Sequence, residues 1–162
     1  MIVSFTGHRS DKLGGYDLPN STYINVCQQT EQVLRALKPD KCISGMALGY
    51  DQYAAYVCIK LGIPFIAAVP FKEQDKVWPE KSKLIYESLL AKAESIIIVS
   101  PGGYHPSKMQ IRNEWLVDQC DKLLACFDGT SGGTANCIKY AKSIKKAENI
   151  IFINPTLTVK NS

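Results

Sequence analysis

Four short runs carry residues whose types and spacing suit the capture of an anion. Thr6-Gly7-His8-Arg9 joins a glycine, which lets backbone approach closely, to an arginine whose planar fork suits phosphate or carboxylate, and His8 can donate to an anion or stack on a base. Ser44-Gly45-Met46-Ala47-Leu48-Gly49-Tyr50-Asp51 sets two glycines ahead of a helix, where free backbone N–H groups can face an anion. Asp51 either caps that helix or orients a ribose hydroxyl or the neighbouring loop. Asp128-Gly129-Thr130-Ser131-Gly132-Gly133-Thr134-Ala135-Asn136 is the strongest signal, with three glycines and three hydroxyls before a helix. Arg112-Asn113-Glu114 adds a phosphate-seeking arginine, an amide able to read a base or ribose edge, and an acid. Tyr104, in the lid-like run from Pro101 to Pro106, either stacks on a base or belongs to a surface loop with no ligand role. None of these runs is a P-loop or a G-x-G-x-x-G fingerprint. His8 and His105 are the only histidines and have no partners at metal-ligand spacing, so no metal site and no cofactor are expected.

The elements around these runs are short and alternate in type. Strands are predicted over residues 3–5, 41–44, 65–69, 95–99, 122–127 and 149–153. Asn20 or Ser21 caps a helix whose stripe is Ile24, Cys27, Thr30, Leu34 and Leu37. A second helix starts near Asp51, buries Ala54, Cys58 and Leu61, and stops at Gly62. Pro79 opens a third, with Leu84, Ile85, Leu89 and Ala93 inward. Residues 110–120 form a short fourth helix, with Trp115 in the core, and residues 134–146 a fifth, with Ile138, Ala141 and Ile144 inward. Such alternation defines an α/β, Rossmann-like three-layer sandwich with a mostly parallel six-stranded sheet.

Ligands of open α/β sheets bind beyond the carboxyl ends of the strands, at a topological switch point. The loops after strands 1, 2 and 5 can act together only if those strands are neighbours. That convergence predicts the strand order 4-3-2-1-5-6, with the switch point between strands 1 and 5.

The chain has 162 residues, 46% of them hydrophobic, and a net charge of +4. That supports one domain over residues 1–155, with a C-terminal tail at 156–162 frayed over 159–162, and excludes a mainly disordered chain. Apolar runs are too short to span a membrane, and no signal peptide is apparent, so a cytoplasmic location is expected. Lys142, Lys145 and Lys146 read as a solvated helix face. There is no basic stripe with interleaved aromatics, so nucleic acid is a weak partner. The six cysteines form no C-x-x-C pair and read as reduced, buried, small apolar residues.

Taken in order, Thr6-Gly7-His8-Arg9, the Ser-Gly-x-Ala-x-Gly-x-Asp run, Arg112-Asn113 and Gly132-Gly133-Thr134 resemble the SLOG superfamily. This Rossmann-like group joins the DprA/SMF proteins with the LOG phosphoribohydrolases, and the chain is most similar to its YpsA-like branch. The resemblance implies a pocket for nucleotides or nucleotide-derived ligands, and relatives that are often dimers, so a homo-oligomer is possible. Members include N-glycosidases of nucleoside monophosphates, sensors of nucleotide signals and single-strand DNA binders. In the LOG enzymes the last glycine motif runs P-G-G-x-G-T-x-x-E. Matched through Gly133 and Thr134, its Pro falls on Gly129 and its catalytic Glu on Cys137. The family's Arg falls on Arg112, and the Lys that follows it is Asn113 here. Pro101-Gly102-Gly103 imitates the motif, but no G-T-x-x-E follows it.

The expected activity is therefore that of a binding module, a sensor or sequestering protein. Phosphate would lie on the Gly132-Gly133-Thr134 helix start with Arg9 and Arg112, ribose near Asp51 or Asn136, and the base near Tyr104 or His8. A nucleoside-monophosphate glycosidase or related transferase with a relocated acid (Glu114 or Asp51) is the alternative, and DprA-like binding of single-stranded DNA is the third possibility.

Overall fold

A computed structural model of the chain describes residues 1–144 and 146–156. Lys145 and the tail beyond residue 156 lie outside the described residues. The six strands are β1 (Ile2–Gly7), β2 (Lys41–Ser44), β3 (Phe65–Val69), β4 (Ser95–Ile98), β5 (Lys122–Cys126) and β6 (Ile150–Ile153). The five α-helices are α1 (Ser21–Leu37), α2 (Tyr50–Leu61), α3 (Glu80–Leu90), α4 (Lys108–Gln119) and α5 (Gly133–Ser143). The sheet runs β4-β3-β2-β1-β5-β6, as the convergence of the loops requires, and every pairing is parallel.

Side chains alternate across the sheet and so create two cores. Val3 and Phe5 of β1, Cys42, Phe65, Ala67, Leu124 and Cys126 face one side, where Val26 and Leu34 of α1, Cys58 of α2, and Tyr86 and Leu89 of α3 cover them. Ile43, Ala68 and Leu123 face the other, under Leu116 and Val117 of α4 and Cys137 and Ala141 of α5. Ser4 also points to that second face, where its hydroxyl is satisfied by donating to the Leu116 carbonyl at 2.8 Å. Trp115 packs against the second core. The six cysteines are free thiols; five are buried and Cys27 is half-buried.

Three helix faces differ from expectation. Asn20 caps α1, accepting from Tyr23 N at 2.9 Å, but Ile24 is exposed. At about 100° per residue it is turned roughly 160° from Val26, which is buried instead. On α3, Leu84 and Ile85 are exposed while Tyr86 and Leu89 pack inward. The two leading apolar residues mark the wrong phase of that helix. On the fifth helix, regular structure ends at Ser143, so Ile144 is a partly exposed C-cap residue instead of an inward one.

β4 is an edge strand, and its Ile96 and Ile98 are about half exposed. Among the described residues no helix is long and apolar enough to cross a membrane.

Candidate functional site

The register between β1 and β5 places Gly7 beside Cys126, so the two strands end level at the centre of the sheet. The segments that leave them run side by side. Backbone bonds seal the start: His8 N donates to the Cys126 carbonyl at 3.2 Å, and Tyr50 N donates to the His8 carbonyl at 3.1 Å. The start of α2 is thereby pinned over the end of β1. A Cβ on Gly7 would lie 2.5 Å from Tyr50 Cβ. Gly7 is therefore required for the close approach of α2 to β1.

The cleft above these ends has a volume of about 290 Å³. Thr6, Gly7, His8 and Arg9 form one wall, Asp51 and Ala47 the next, and Arg112 and Asn113 of α4 the third. Gly132, Gly133 and Thr134, at the start of α5, complete it, so ten of the residues singled out from sequence line one cavity. Asp11, Lys12, Ala47 and Met109 join them. Lys12 and Asp11 follow directly on Arg9 in the short 3-10 turn Ser10–Lys12. They were legible only by continuing the first loop a few residues further.

The chemistry of this cleft is asymmetric. Gly132 caps α5 without a side-chain hydrogen bond, and the first turn holds no acid. The first N–H groups of a helix lack intrahelical partners and carry the positive end of its dipole. Exposed Arg9 and Lys12 stand in the same lining. Lys12 Nζ bridges to the glycine loop, donating to Thr130 Oγ1 at 2.8 Å and to the Ser131 carbonyl at 3.3 Å. Asp128 organises that loop by accepting from Thr130 N at 2.9 Å and Thr130 Oγ1 at 2.6 Å. These hydrogen bonds, with a smaller contribution from His8, hold its carboxyl down at about 2. His8 Nε2 lies 2.8 Å from Asp128 Oδ1 and 3.0 Å from the Asp128 amide. The amide needs an acceptor there and the carboxylate a donor, so the ring's tautomer selects between them.

Opposite stands a buried ion pair. Arg112 is 2% exposed. Its fork donates to the carbonyls of Gly45 and Ala68 and, through Nε, to Asn113 Oδ1 at 3.0 Å. Its Nη2 lies 3.9 Å from Asp51 Oδ2. Burial lowers its pKa from the usual arginine value, against the Asp51 charge that raises it. Asp51 is raised by its own burial, opposed by Arg112 and Arg9. It does not cap α2; its carboxylate accepts from Ala47 N at 3.2 Å and holds the loop. Ser44 serves the same loop, donating to the Asp51 carbonyl at 2.6 Å and accepting from Met46 N. A Cβ on Gly45 would lie 2.5 Å from the Arg112 guanidinium, and Gly49 packs on the His8 carbonyl. Ser44, Gly45 and Gly49 thus build the wall without lining the cavity.

Other expected residues lie elsewhere. Tyr104 is 72% exposed and packs edge-on against Phe71, with centroids 5.6 Å apart. The run around it leads into α4 on the surface instead of folding over the cleft. Asn136 opens onto a shallow depression with Gln110 and Tyr140, two residues along the helix from Thr134 and outside the cleft. Thr130 and Ser131 hold Lys12 from outside the cleft, and Gly129, with φ of 93°, turns the loop before them. Glu114 accepts from Gln110 Nε2 at 3.2 Å and does not line the cleft. Cys137 is fully buried in the second core, where desolvation raises its thiol to about 11. Among the described residues no three His, Cys, Asp or Glu side chains gather as a metal ion would need.

A parallel sheet with its cleft at the switch point between β1 and β5 places the chain among the Rossmann-like α/β proteins. The chain belongs to the YspA SLOG family, whose model matches residues 3–159. The uncharacterized SPbeta prophage-derived protein YoqJ of Bacillus subtilis is 35% identical over 142 residues, 77% of this chain and 82% of that protein. A UPF0398 protein of Bacillus pumilus is 31% identical over 160 residues, covering 91% and 82% of the two chains. Among solved structures, DNA processing protein A from Helicobacter pylori, described for its single-stranded DNA binding mode, matches with a TM-score of 0.64 at 16% identity over 94% of this chain. DprA from Streptococcus pneumoniae matches at 0.67 and 15% identity over 93%. This chain spans 64% and 49% of those two chains, and the likeness is one of fold.

Proposed function

We propose that the cleft binds a phosphate-bearing, nucleotide-derived small molecule and that the protein senses or sequesters it. The observation that carries this reading is the meeting of the uncapped start of α5 with Arg9 and Lys12 in one cavity of about 290 Å³. The phosphate lies against the N–H groups of Gly133 and Thr134, with the two cations closing on it. Asp51 and Asn113, on the opposite walls, supply acceptor and donor groups for a sugar. The base lies toward His8 and Met109, since Tyr104 and Asn136 stand outside the cleft. Arg112, taken up by carbonyls, positions Gly45 and Asp51 and adds its charge from beneath.

Mass spectrometry of small molecules released on denaturing the purified protein tests this directly. Thermal unfolding against a panel of nucleoside mono- and diphosphates, cyclic nucleotides and ADP-ribose is the second arm. A ligand at one hundred times its dissociation constant adds about 2.7 kcal/mol of apparent stability. Arg9→Ala and Lys12→Ala should each remove most of that increment. No released ligand and no shift across the panel would refute the reading.

A second reading, hydrolysis of an N-glycosidic bond, is favoured by one observation. Of the two candidate acids, Asp51 lines the cleft, where burial raises its pKa against the opposing charges of Arg112 and Arg9. Free base released from a nucleoside monophosphate, and lost in Asp51→Asn, would establish it.

A further inference from the structure

Arg112 fixes more than the loop after β2. A guanidinium N–H can only donate, so the amide atom that meets Arg112 Nε at 3.0 Å is the Asn113 oxygen, and chemistry alone sets the orientation of that amide. The guanidinium cannot turn away, because the Gly45 and Ala68 carbonyls hold its Nη1. The Asn113 nitrogen therefore points away from Arg112. Its two N–H groups have no partner among the described residues. Asn113 lines the cleft, one helical turn beyond Met109, which lines it too.

Nε and Nη2 form one edge of the planar fork, and the Nη2 end of that edge lies 3.9 Å from Asp51 Oδ2. Oδ2 also accepts from Ala47 N, whereas Oδ1 has no partner among the described residues. Asp51 is 6% exposed and lines the cleft, so the accessible part of its carboxylate opens there. One rigid group thus sets a donor, Asn113 Nδ2, and an acceptor, Asp51 Oδ1, along the same edge. A ligand that satisfies both presents an acceptor and a donor close together. Adjacent hydroxyls do so, since each can give a proton and accept one.

We propose that Asn113 is the specificity-determining residue of the cleft: locked with its donors outward by Arg112, it acts with Asp51 to select a sugar phosphate bearing two adjacent hydroxyls over one that lacks either. The inference rests on the phosphate-binding reading of the same cleft and adds which sugar is accepted. Arg112 is a positioning residue here, acting through the amide and the carboxylate. Removing one hydroxyl from the ligand leaves an N–H or a buried carboxylate oxygen unpaired, and sites built around such bonds reject the incomplete analogue. Asn113→Asp isolates the effect. The new carboxylate has the same shape and still accepts from Arg112 Nε, but it has no proton to give the ligand.

The test titrates the full chain with inorganic phosphate, ribose 5-phosphate and 2-deoxyribose 5-phosphate, read by NMR at the Gly133 and Thr134 amides. Ribose 5-phosphate should bind at least about tenfold more tightly than phosphate, and about tenfold more tightly than its 2-deoxy analogue. In Asn113→Asp the preference for ribose 5-phosphate over phosphate should shrink to within about twofold. Taking this ratio cancels the effect of the added charge on phosphate itself. The melting temperature should not fall, because the bond from Arg112 Nε is kept. If neither phosphate nor ribose 5-phosphate moves the two amides, the phosphate-binding reading is overturned and this inference with it. If phosphate binds but the 2-deoxy analogue matches ribose 5-phosphate, or Asn113→Asp keeps the full preference, the role of Asn113 is overturned while that reading stands.

Discussion

Replacing Gly49 by alanine tests how the cleft's first wall is held. Gly49 precedes α2 with φ of 104° and ψ of −135°, a combination that side-chain-bearing residues almost never adopt. A Cβ there would stand 2.5 Å from the His8 carbonyl oxygen and 2.8 Å from Arg9 Cα. Both neighbours are backbone, and His8 is tied on each side, to Cys126 and to Tyr50. The strain costs about 1–3 kcal/mol and the overlap about as much again. Gly49→Ala should therefore lose about 3–5 kcal/mol, or roughly 10–15 °C in melting temperature at this size. Gly62→Ala is the matched control. Gly62 also has positive φ, at 71°, but nothing lies within 4 Å of its Cβ position, so only about 1 kcal/mol is expected. Urea denaturation of both variants, with a common m-value, gives the difference. Losses equal within about 0.5 kcal/mol would refute the claim that Gly49 is required by its packing on the first loop, and would leave strain alone as its role.

Three further outcomes are expected. Asp128 should titrate by carbon NMR with a midpoint near 2, and Thr130→Ala should move it back toward the ordinary 3.8. Because the folded pKa is depressed, its contribution to stability is complete above 3.8 and lost as pH falls through 2. A midpoint unmoved in Thr130→Ala would contradict the hydrogen-bond origin. Arg112→Lys should cost about 2–3 kcal/mol in urea denaturation, because one ammonium cannot satisfy both carbonyls and Asn113 from the same position; a loss under about 0.5 kcal/mol would show the fork to be dispensable. Cys137→Glu, which restores the acid found at that position in the LOG motif, should destabilise by at least about 2 kcal/mol without creating base release, as it places a carboxylate in the second core. Near-native stability in that variant would mean that α5 can turn the residue outward.

The strand order was legible because three glycine-bearing loops make sense only around neighbouring strands, and β2, β1 and β5 are adjacent. Arg112 shows where such reading stops. Its type and position suited a phosphate, but only the packed structure reveals the two carbonyls, on Gly45 and Ala68, that take its fork first. Tyr104 and Asn136 lie outside the cleft, because residue type says nothing of which side of a loop or helix faces a cavity. Asn136 is two residues from Thr134, and two residues on a helix turn the side chain by roughly 200°. Leu84 failed for a related reason: an exposed leucine on α3 looks the same in sequence as a buried one. Lys12 escaped notice because its partner, Thr130, is 118 residues away.

That separation governs when the cleft can exist during synthesis. β1 lies between β2 and β5, so one wall is made by residues 6–12 and the facing one by residues 132–134. A nascent chain that has released β1 through β4 can pair four strands and still lack the wall built by the start of α5. The edge of β1 that receives β5 therefore stays open until residues 122–126 have emerged. On the proposed function, a ligand would stabilise only a fold that includes α5, and its binding would report that synthesis has passed that helix.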